Sequence, residues 1–239
     1  MSTLPEPPRL PRRPAAKPRR SGLSTAAIVA AAIAELDESG AAGLSMRRVA
    51  ERLGTGAASL YAYVSGKEEL LELAFDELIG QVAVPVPDPA HWREQLITTL
   101  TDLHTVLASH RDAALAGLGR VPTTPHALRG AEALVAVMRA GGLTDEVAAL
   151  GLDQLTLFVT ANAFEQSLYD HGGMTEAEVS DYFAQVHAFY AALPADRFPV
   201  LTSIADDLTG HDGDARLRFG LEVLIAGLEA LSARPRPAP

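Results

Sequence analysis

The chain has 239 residues and a formal net charge of −10, with 30 acidic and 20 basic side chains and no cysteine. This length accommodates one large or two modest domains, and the lack of cysteine excludes disulfide scaffolds, thiolate metal sites and thiol nucleophiles. The net charge by itself argues against a nucleic-acid partner, but the charge is unevenly spread. Residues 1–67 carry a net +5 and residues 68–239 a net −15, which is typical of a nucleic-acid-facing or membrane-facing segment joined to an acidic body.

Residues 1–20 contain six prolines and six basic residues without periodicity, so we predict a disordered basic tail. Two interpretations of this tail remain open: a solvated terminus without function, or an arm that contacts the DNA backbone or minor groove. Residues 234–239 are predicted to form a second disordered tail. The longest apolar run, Ala26–Ala34, is nine residues long and too short to cross a bilayer. We therefore expect a cytoplasmic protein without membrane contact.

The first predicted helix follows the basic tail and covers residues 24–39. Ser24 is placed as its N-cap, because a serine hydroxyl can accept a hydrogen bond from the free amides of the first turn. One face of this helix is apolar at helical spacing and is predicted to be buried. The residues of that face are Ile28, Ala31, Ala32 and Leu36.

Two short helices are predicted next, over residues 45–53 and 57–64, with the turn Gly54-Thr55-Gly56 between them. Ser45 is placed as the N-cap of the first. Two short helices joined by a tight glycine turn are typical of a helix-turn-helix, so residues 21–67 are predicted to form a DNA-binding domain. Arg47 and Arg48 on the first helix are either phosphate contacts or part of a solvated face.

The third helix has the composition of a recognition helix. Its first residues, Ala57, Ala58 and Ser59, are small enough to let the helix enter the ~12 Å wide major groove. Tyr61 and Tyr63 are predicted to project outward with hydroxyls that suit phosphate oxygens. Taken alone, each tyrosine is more often an ordinary half-buried aromatic residue. The joint spacing of these residues within a basic segment favours a DNA-binding role.

The segment from Leu44 to Leu70 closely resembles the DNA-binding segment of the tetracycline-repressor (TetR) family of transcriptional regulators, with the specific core L-Y-x-Y-V-x-x-K at residues 60–67. The resemblance extends from Ser24 to about Leu78. It implies a homodimer that binds a double-stranded operator with an inverted repeat and responds to a small-molecule effector. The DNA contacts that it implies are Arg47, Ala57, Ala58, Ser59, Tyr61, Tyr63 and Lys67.

Residues 68–233 are predicted to form a helical ligand-binding and dimerisation domain, which makes the whole chain all-α. Ser65–Glu68 is interpreted as a capping box that opens a helix to about Val82, and Asp88-Pro89 as the start of the next. The further helices are predicted over residues 89–109, 111–118, 125–140, 144–171, 175–192, 198–208 and 214–233.

Two features of the acidic body point to dimerisation or to a ligand pocket. In the last helix, leucines recur at alternating spacings of four and three, which favours a helix-packing seam between subunits, with an intrachain core helix as the alternative. These leucines are Leu217, Leu221, Leu224, Leu228 and Leu231. In the helix over residues 144–171, the polar residues Asn162, Glu165 and Gln166 lie in an apolar stretch, so they either pair across a dimer interface or line a pocket.

The stretches 92–122 and 198–229 resemble the tetracycline-repressor subgroup itself. The resemblance places the histidine that holds drug-bound magnesium in those repressors at Gly117 and the drug-contacting histidine near Ala83, while their acidic residue is matched by Glu165. The loss of both histidines argues against magnesium–tetracycline, and we expect no cofactor and no metal. The pocket is expected to be mostly aliphatic, with a wall of Leu96, Thr99, Leu103, Leu118, Met138 and Phe158.

These features together predict a ligand-responsive, homodimeric repressor rather than an enzyme. The alternative of an enzyme with Asn162, Glu165 and His110 as a buried polar site lacks a nucleophile–base spacing. The sequence also contains no HExxH, G-x-S-x-G or Walker motif. A third alternative is a helical adaptor whose helix-turn-helix is vestigial.

Overall fold

A computed structural model describes residues 23–119, 121–173 and 175–233 of the chain. Within these ranges it contains helices and no strand, which confirms the predicted all-α fold. The predicted tails, residues 1–20 and 234–239, lie outside the described residues. In chain order the helices are α1 Thr25–Gly43, α2 Met46–Arg52, α3 Ala57–Leu60, α4 Lys67–Ile79, α5 Trp92–Ala108, α6 Ala113–Gly117, α7 Pro125–Ala140, α8 Asp145–Asp170, α9 Glu176–Ala191, α10 Pro199–Ser203, α11 Ala205–Thr209 and α12 Gly213–Ser232.

Helices α1, α2 and α3 form a small unit, called the head below. The predicted apolar face of α1 is buried and packs in one hydrophobic cluster with residues of α2 and α3. Ser24 and Ser45 are the N-caps of α1 and α2, as predicted, and their hydroxyls accept the amides of Ala27 and Arg48. The same cluster includes Leu70 of α4, so the core of the head extends beyond the predicted domain boundary at residue 67.

One predicted helix end in the head is confirmed and one is wrong. The predicted stop of the first helix at Gly40 is confirmed, because the backbone there is non-helical (φ 70°), and the range to Gly43 includes one short turn after this kink. The carboxylate of Asp112, far along the chain, accepts the N–H of Ala41 (2.9 Å) and supports that turn. Helix α3 ends at Leu60 rather than at Val64, and the residues between form a turn in which Val64 N–H donates to the carbonyl of Leu60 (3.0 Å).

Two predicted helix starts also differ from the structure. The N-cap of α4 is Gly66 and not Ser65, whose own N–H donates to the carboxylate of Glu69 (2.6 Å). Helix α5 begins at Trp92, because Asp88 accepts the N–H of Ala90 (2.9 Å) in a turn that precedes the helix. At both starts the predicted polar residues are present. The carboxylates of Glu69 and Asp88, however, accept amides that precede the helix and not amides of its first turn.

Helices α5–α12, called the body below, pack around a second hydrophobic cluster formed by α5, α7, α8 and α12. Leu217, Leu221 and Leu228 of α12 are buried in this cluster, so most of the predicted dimer seam is an intrachain core. Helix α8 is long and apolar enough to cross a membrane by length and composition alone. Its buried residues, among them Leu155 and Val159, pack in the cluster with α5, α7 and α12, while Leu150 and Leu168 stay exposed.

The predicted helix over residues 198–208 is divided into α10 and α11 at Ile204. Helices α9, α10 and α11 pack chiefly against one another and form an arm of the body. The arm begins with a capping box, in which Thr175 accepts the N–H of Glu178 and the Glu178 carboxylate accepts the N–H of Thr175. Large apolar side chains of the arm are exposed, among them Tyr182, Phe189 and Val200.

Candidate DNA-binding surface and ligand cavity

Helices α2 and α3 pack together through buried apolar residues and leave one face of the head open to solvent. The turn between them uses a left-handed residue, Gly54 (φ 64°), and Thr55 N–H donates to the carbonyl of Ala50 (2.9 Å). A left-handed backbone strains any residue with a Cβ atom, so glycine suits the tight turn. The arrangement is a helix-turn-helix, as the sequence predicts.

The predicted DNA contacts divide into exposed and partly engaged side chains. Ala58, Ser59 and Tyr61 of the α3 region are exposed, and the Arg47 side chain is 82% exposed with one ion pair to Glu51 (3.3 Å). Ala57, Tyr63 and Lys67 are half-buried: the first two pack against the head cluster, and the Lys67 ammonium donates to the carbonyl of Ala41 (2.7 Å). All seven residues lie on or beside the helix-turn-helix.

A buried carboxylate, which the sequence reasoning missed, joins α1 to α2. The Glu35 side chain is 4% exposed and pairs with both Arg48 and Arg52 (3.1 Å to Arg52), while the Ser39 hydroxyl donates to it (2.8 Å). Arg48 is therefore occupied within the head rather than part of a freely solvated face. Glu35 lies four residues after Ala31 and seven after Ile28, on the buried face of α1. This helical spacing could have predicted a buried carboxylate from the sequence.

The electrostatics of Glu35 follow from competing effects. Burial raises the pKa of the carboxyl group, but the hydrogen bonds from Ser39 and Arg52 and the charge of Arg48 outweigh this effect and hold the pKa below its usual value of 4.5. The carboxylate is thus ionised in the folded protein. It orients two arginines of α2 and fixes the angle between α1 and the helix-turn-helix.

The head also contacts the loop between α5 and α6. His110 faces the carboxylate of Asp37 at 3.0 Å, and Asp112, which has a left-handed backbone (φ 56°), accepts the N–H of Ala41. His110 is therefore part of the junction between head and body. The three polar residues considered for an enzyme each have a different partner: His110 faces Asp37, Glu165 pairs with Arg216 (3.2 Å), and Asn162 donates to the carbonyl of Phe158.

A cavity of about 570 Å³ lies between α4 and the body helices α5, α7 and α8, and residues 117–119 and 121–124 form part of its wall. This volume is that of a site for a drug-sized molecule. Most of the wall is apolar, with threonine hydroxyls distributed around it. The charged and titratable side chains of the wall are Glu72, His126, Arg129 and Asp153.

Three of the predicted pocket residues, Thr99, Leu103 and Leu118, line the cavity. Leu96 and Met138 do not, because they are fully buried in the cluster between α5, α7, α8 and α12. Phe158 fills the space beside Gly220, where a Cβ atom would come within 2.1 Å of its ring.

The three polar residues of α8 find partners within the chain instead of lining the cavity. Asn162 donates to the carbonyl of Phe158 (3.0 Å), Gln166 donates to Asp170 (3.0 Å), and Glu165 forms its ion pair with Arg216. These partners satisfy polar groups that are costly to leave unpaired, so neither a pocket nor a dimer contact is needed to explain them.

The two positions that correspond to metal-site and drug-contact histidines in tetracycline repressors, Gly117 and Ala83, both line the cavity. At Gly117 a Cβ atom would lie 2.4 Å from the Phe75 ring, so that ring occupies the space a histidine would need. Within the described ranges no group of three or more His, Asp or Glu residues is placed to hold a metal ion.

Comparisons with known proteins agree with this division into a head and a body. Residues 28–74 match the model of the bacterial regulatory proteins of the tetR family, and residues 84–232 match that of the tetracyclin repressor-like C-terminal domain. The HTH-type transcriptional repressor DrrR1 of Streptomyces coeruleorubidus is 34% identical over 94% of this chain and 84% of its own. The class G tetracycline repressor of Vibrio anguillarum is 26% identical over 88% of this chain and 96% of its own.

Among solved structures, the chain is similar to ActR of Streptomyces coelicolor in complex with actinorhodin. The TM-score is 0.82 and the sequence identity 40%, over 90% of this chain and 99% of ActR. ActR has also been solved without a ligand and in complex with (S)-DNPA.

We predict that Glu35→Gln lowers the thermal midpoint by several degrees at neutral pH and flattens its fall in acid. Because the folded-state pKa is depressed, the carboxylate stabilises the fold above its unfolded pKa, and this contribution is lost as the pH falls through the folded pKa. Thermal unfolding followed by circular dichroism between about pH 7 and pH 3 measures both effects. Glu51→Gln, which removes a charge from the exposed pair with Arg47, is the control and should follow the wild type. Equal acid sensitivity of Glu35→Gln and wild type would contradict the assignment.

Proposed function

The chain belongs to the TetR family of bacterial regulatory proteins, and from this premise we propose that it is a homodimeric repressor that leaves an inverted-repeat operator when a small, mainly apolar molecule enters the body cavity. Members of this family are DNA-binding transcriptional regulators and not enzymes. The observation that carries the proposal is a complete helix-turn-helix with an open face, joined through α4 to a drug-sized cavity. We infer a cytoplasmic location from the DNA partner.

A homodimer is supported by apolar surface that the protomer leaves exposed. On α12 this surface contains Phe219 and Val223, which are 70% and 53% exposed, and on α8 it contains Leu150 and Leu168. Soluble monomers rarely expose a large contiguous apolar patch, and a second copy of the chain would cover both helices at once. The dimer face thus lies on the sides of α8 and α12 that the leucines of the intrachain core leave free.

The dimer explains how one occupant can control DNA binding. Two heads must reach successive major grooves about 34 Å apart, so a small change in the orientation of each head disrupts the match. Phe75 and Ile79 of α4 line the cavity, so an occupant touches the helix that connects the body to the head. ActR has been solved in complex with actinorhodin, and a mainly apolar effector of drug size suits the walls of the cavity in this chain.

We predict that selection from a random pool of duplexes enriches an inverted repeat, and that Arg47→Ala and Tyr63→Ala each weaken binding to it about tenfold. Arg47 is exposed on the open face, and Tyr63 ends the turn after α3. Gel-shift titration at several salt concentrations measures the affinity and its salt dependence. Arg139→Ala, which removes an equally simple surface pair with Asp145, is the control. The reading surface is wrong if both variants bind like the control, and the regulator itself is wrong if no sequence is enriched.

Val223→Asp should convert the dimer into a monomer, because it places a charge in the centre of the proposed α8–α12 interface. Sedimentation or light scattering should then give a mass near 25.2 kDa instead of twice that value. Val86→Asp introduces the same charge on an exposed loop and should leave the dimer intact. A dimeric Val223→Asp variant would place the interface elsewhere.

Gly130→Trp should fill the cavity, since Gly130 lines it and open space surrounds the position of its Cβ atom. A thermal-shift screen of small aromatic compounds, with actinorhodin among them, is expected to find ligands that stabilise the wild type and Gly130→Ala but not Gly130→Trp. A ligand at a free concentration of about 100 times its Kd raises the free energy of unfolding by about 2.7 kcal/mol, which such a screen detects readily. Ligands that stabilise the tryptophan variant equally well would locate the effector site outside the cavity.

A further inference from the structure

Helix α4 belongs to the head and to the cavity at the same time. At its start, the Lys67 ammonium holds the carbonyl of Ala41, and Leu70 is fully buried in the hydrophobic cluster of the head. Towards its end, Phe75 and Ile79 form part of the cavity wall. A rigid helix with both attachments can transmit a displacement at the cavity to the helix-turn-helix.

One buried carboxylate on α4, that of Asp76, is bonded to the start of α7. Asp76 is only 6% exposed. It accepts hydrogen bonds from the Thr124 hydroxyl (2.5 Å) and from the backbone N–H groups of His126 (3.0 Å) and Ala127 (3.0 Å). These three bonds join residues that are about fifty positions apart in the chain.

The local sequence of α7 explains why it depends on another helix. Its first residue, Pro125, has no N–H, and the side chain of its N-cap residue Thr124 bonds to none of its amides. The first free amides are therefore those of His126 and Ala127, and Asp76 satisfies both while placing a negative charge at the positive end of the helix dipole. Five other helices, α1, α2, α8, α9 and α12, are capped by the side chains of their own N-cap residues.

The cap also lies in the wall of the cavity. Thr124, His126 and Ala127 all line it, so an occupant contacts the residues that hold Asp76. The His126 ring lies against Gly80 at the end of α4, and its buried Nδ1 atom has no hydrogen-bond partner among the residues that the structure describes. An occupant that draws the start of α7 toward itself would therefore have to break or move the Asp76 bonds.

We propose that Asp76 is a positioning residue that couples the cavity to the head: its cap on α7 holds α4 in the orientation that binds the operator, and an occupant of the cavity releases it. This inference rests on the proposed function, because it assigns the contact through which the effector acts. Coupling between two sites is reciprocal, so operator DNA must in turn stabilise the cap.

Amide hydrogen exchange in the free dimer and in its complex with the selected operator duplex tests the proposal without any effector. In the wild type, operator binding should slow exchange in residues 124–130 by roughly fivefold or more, since the His126 and Ala127 amides exchange only when the cap opens. In Asp76→Ala this slowing should disappear and the operator Kd should rise by a similar factor. Residues 46–64 should remain protected by DNA in both proteins.

Glu77→Ala is the matched control, because it removes a carboxylate from the next, exposed position of α4 and should behave as the wild type. If Asp76→Ala does not fold, Asp76→Asn tests the same contact, since it keeps an acceptor oxygen and removes the charge, and it should show a smaller loss of slowing. The proposal is overturned if DNA leaves exchange in residues 124–130 unchanged in the wild type, or if Asp76→Ala retains the slowing. A lack of DNA protection in residues 46–64 of the wild type would instead contradict the proposed function.

Discussion

Helix α4 packs in the core of the head and also forms part of the cavity wall, and this double packing ties the two functional regions together. Leu70 and Leu78 of α4 are buried in the same hydrophobic cluster as Ile28 of α1 and Leu60 of α3, so the head cannot change its orientation independently of α4. Phe75, on the same helix, forms part of the cavity wall. A close-packed interior transmits displacement instead of absorbing it, and this property makes a cavity in the body relevant to a surface that binds DNA.

Charged and apolar surfaces also differ between the head and the body. The basic residues are concentrated before α4, where phosphates are expected, and the acidic surplus lies in the body, which does not need to approach DNA. Within the head, the Glu35 carboxylate takes Arg48 and Arg52 into an internal network and leaves Arg47 exposed. The apolar side chains that the core leaves exposed on α8 and α12 form the face that we propose a second copy of the chain covers.

The cavity differs from a tetracycline site although the fold matches that of the repressors. At Gly117 the Phe75 ring occupies the space of a metal-holding side chain, and threonine hydroxyls with few charged groups surround an otherwise apolar volume. Such walls select a ligand by shape and by a small number of hydrogen bonds. One architecture can thus serve different effectors, because the helices that couple the site to DNA remain while the lining changes.

Local patterns were enough to predict most of the helices, the caps of α1 and α2 and the helix-turn-helix, because these features depend on residues within three or four positions of one another. Tertiary contacts set which side of α12 faces the core, support the short turn after the kink at Gly40 and leave Leu96 outside the cavity wall. They also place Asp76 at the start of α7. These contacts join residues tens of positions apart, and a local pattern can show that a side chain is apolar or acidic but not which distant backbone it will meet.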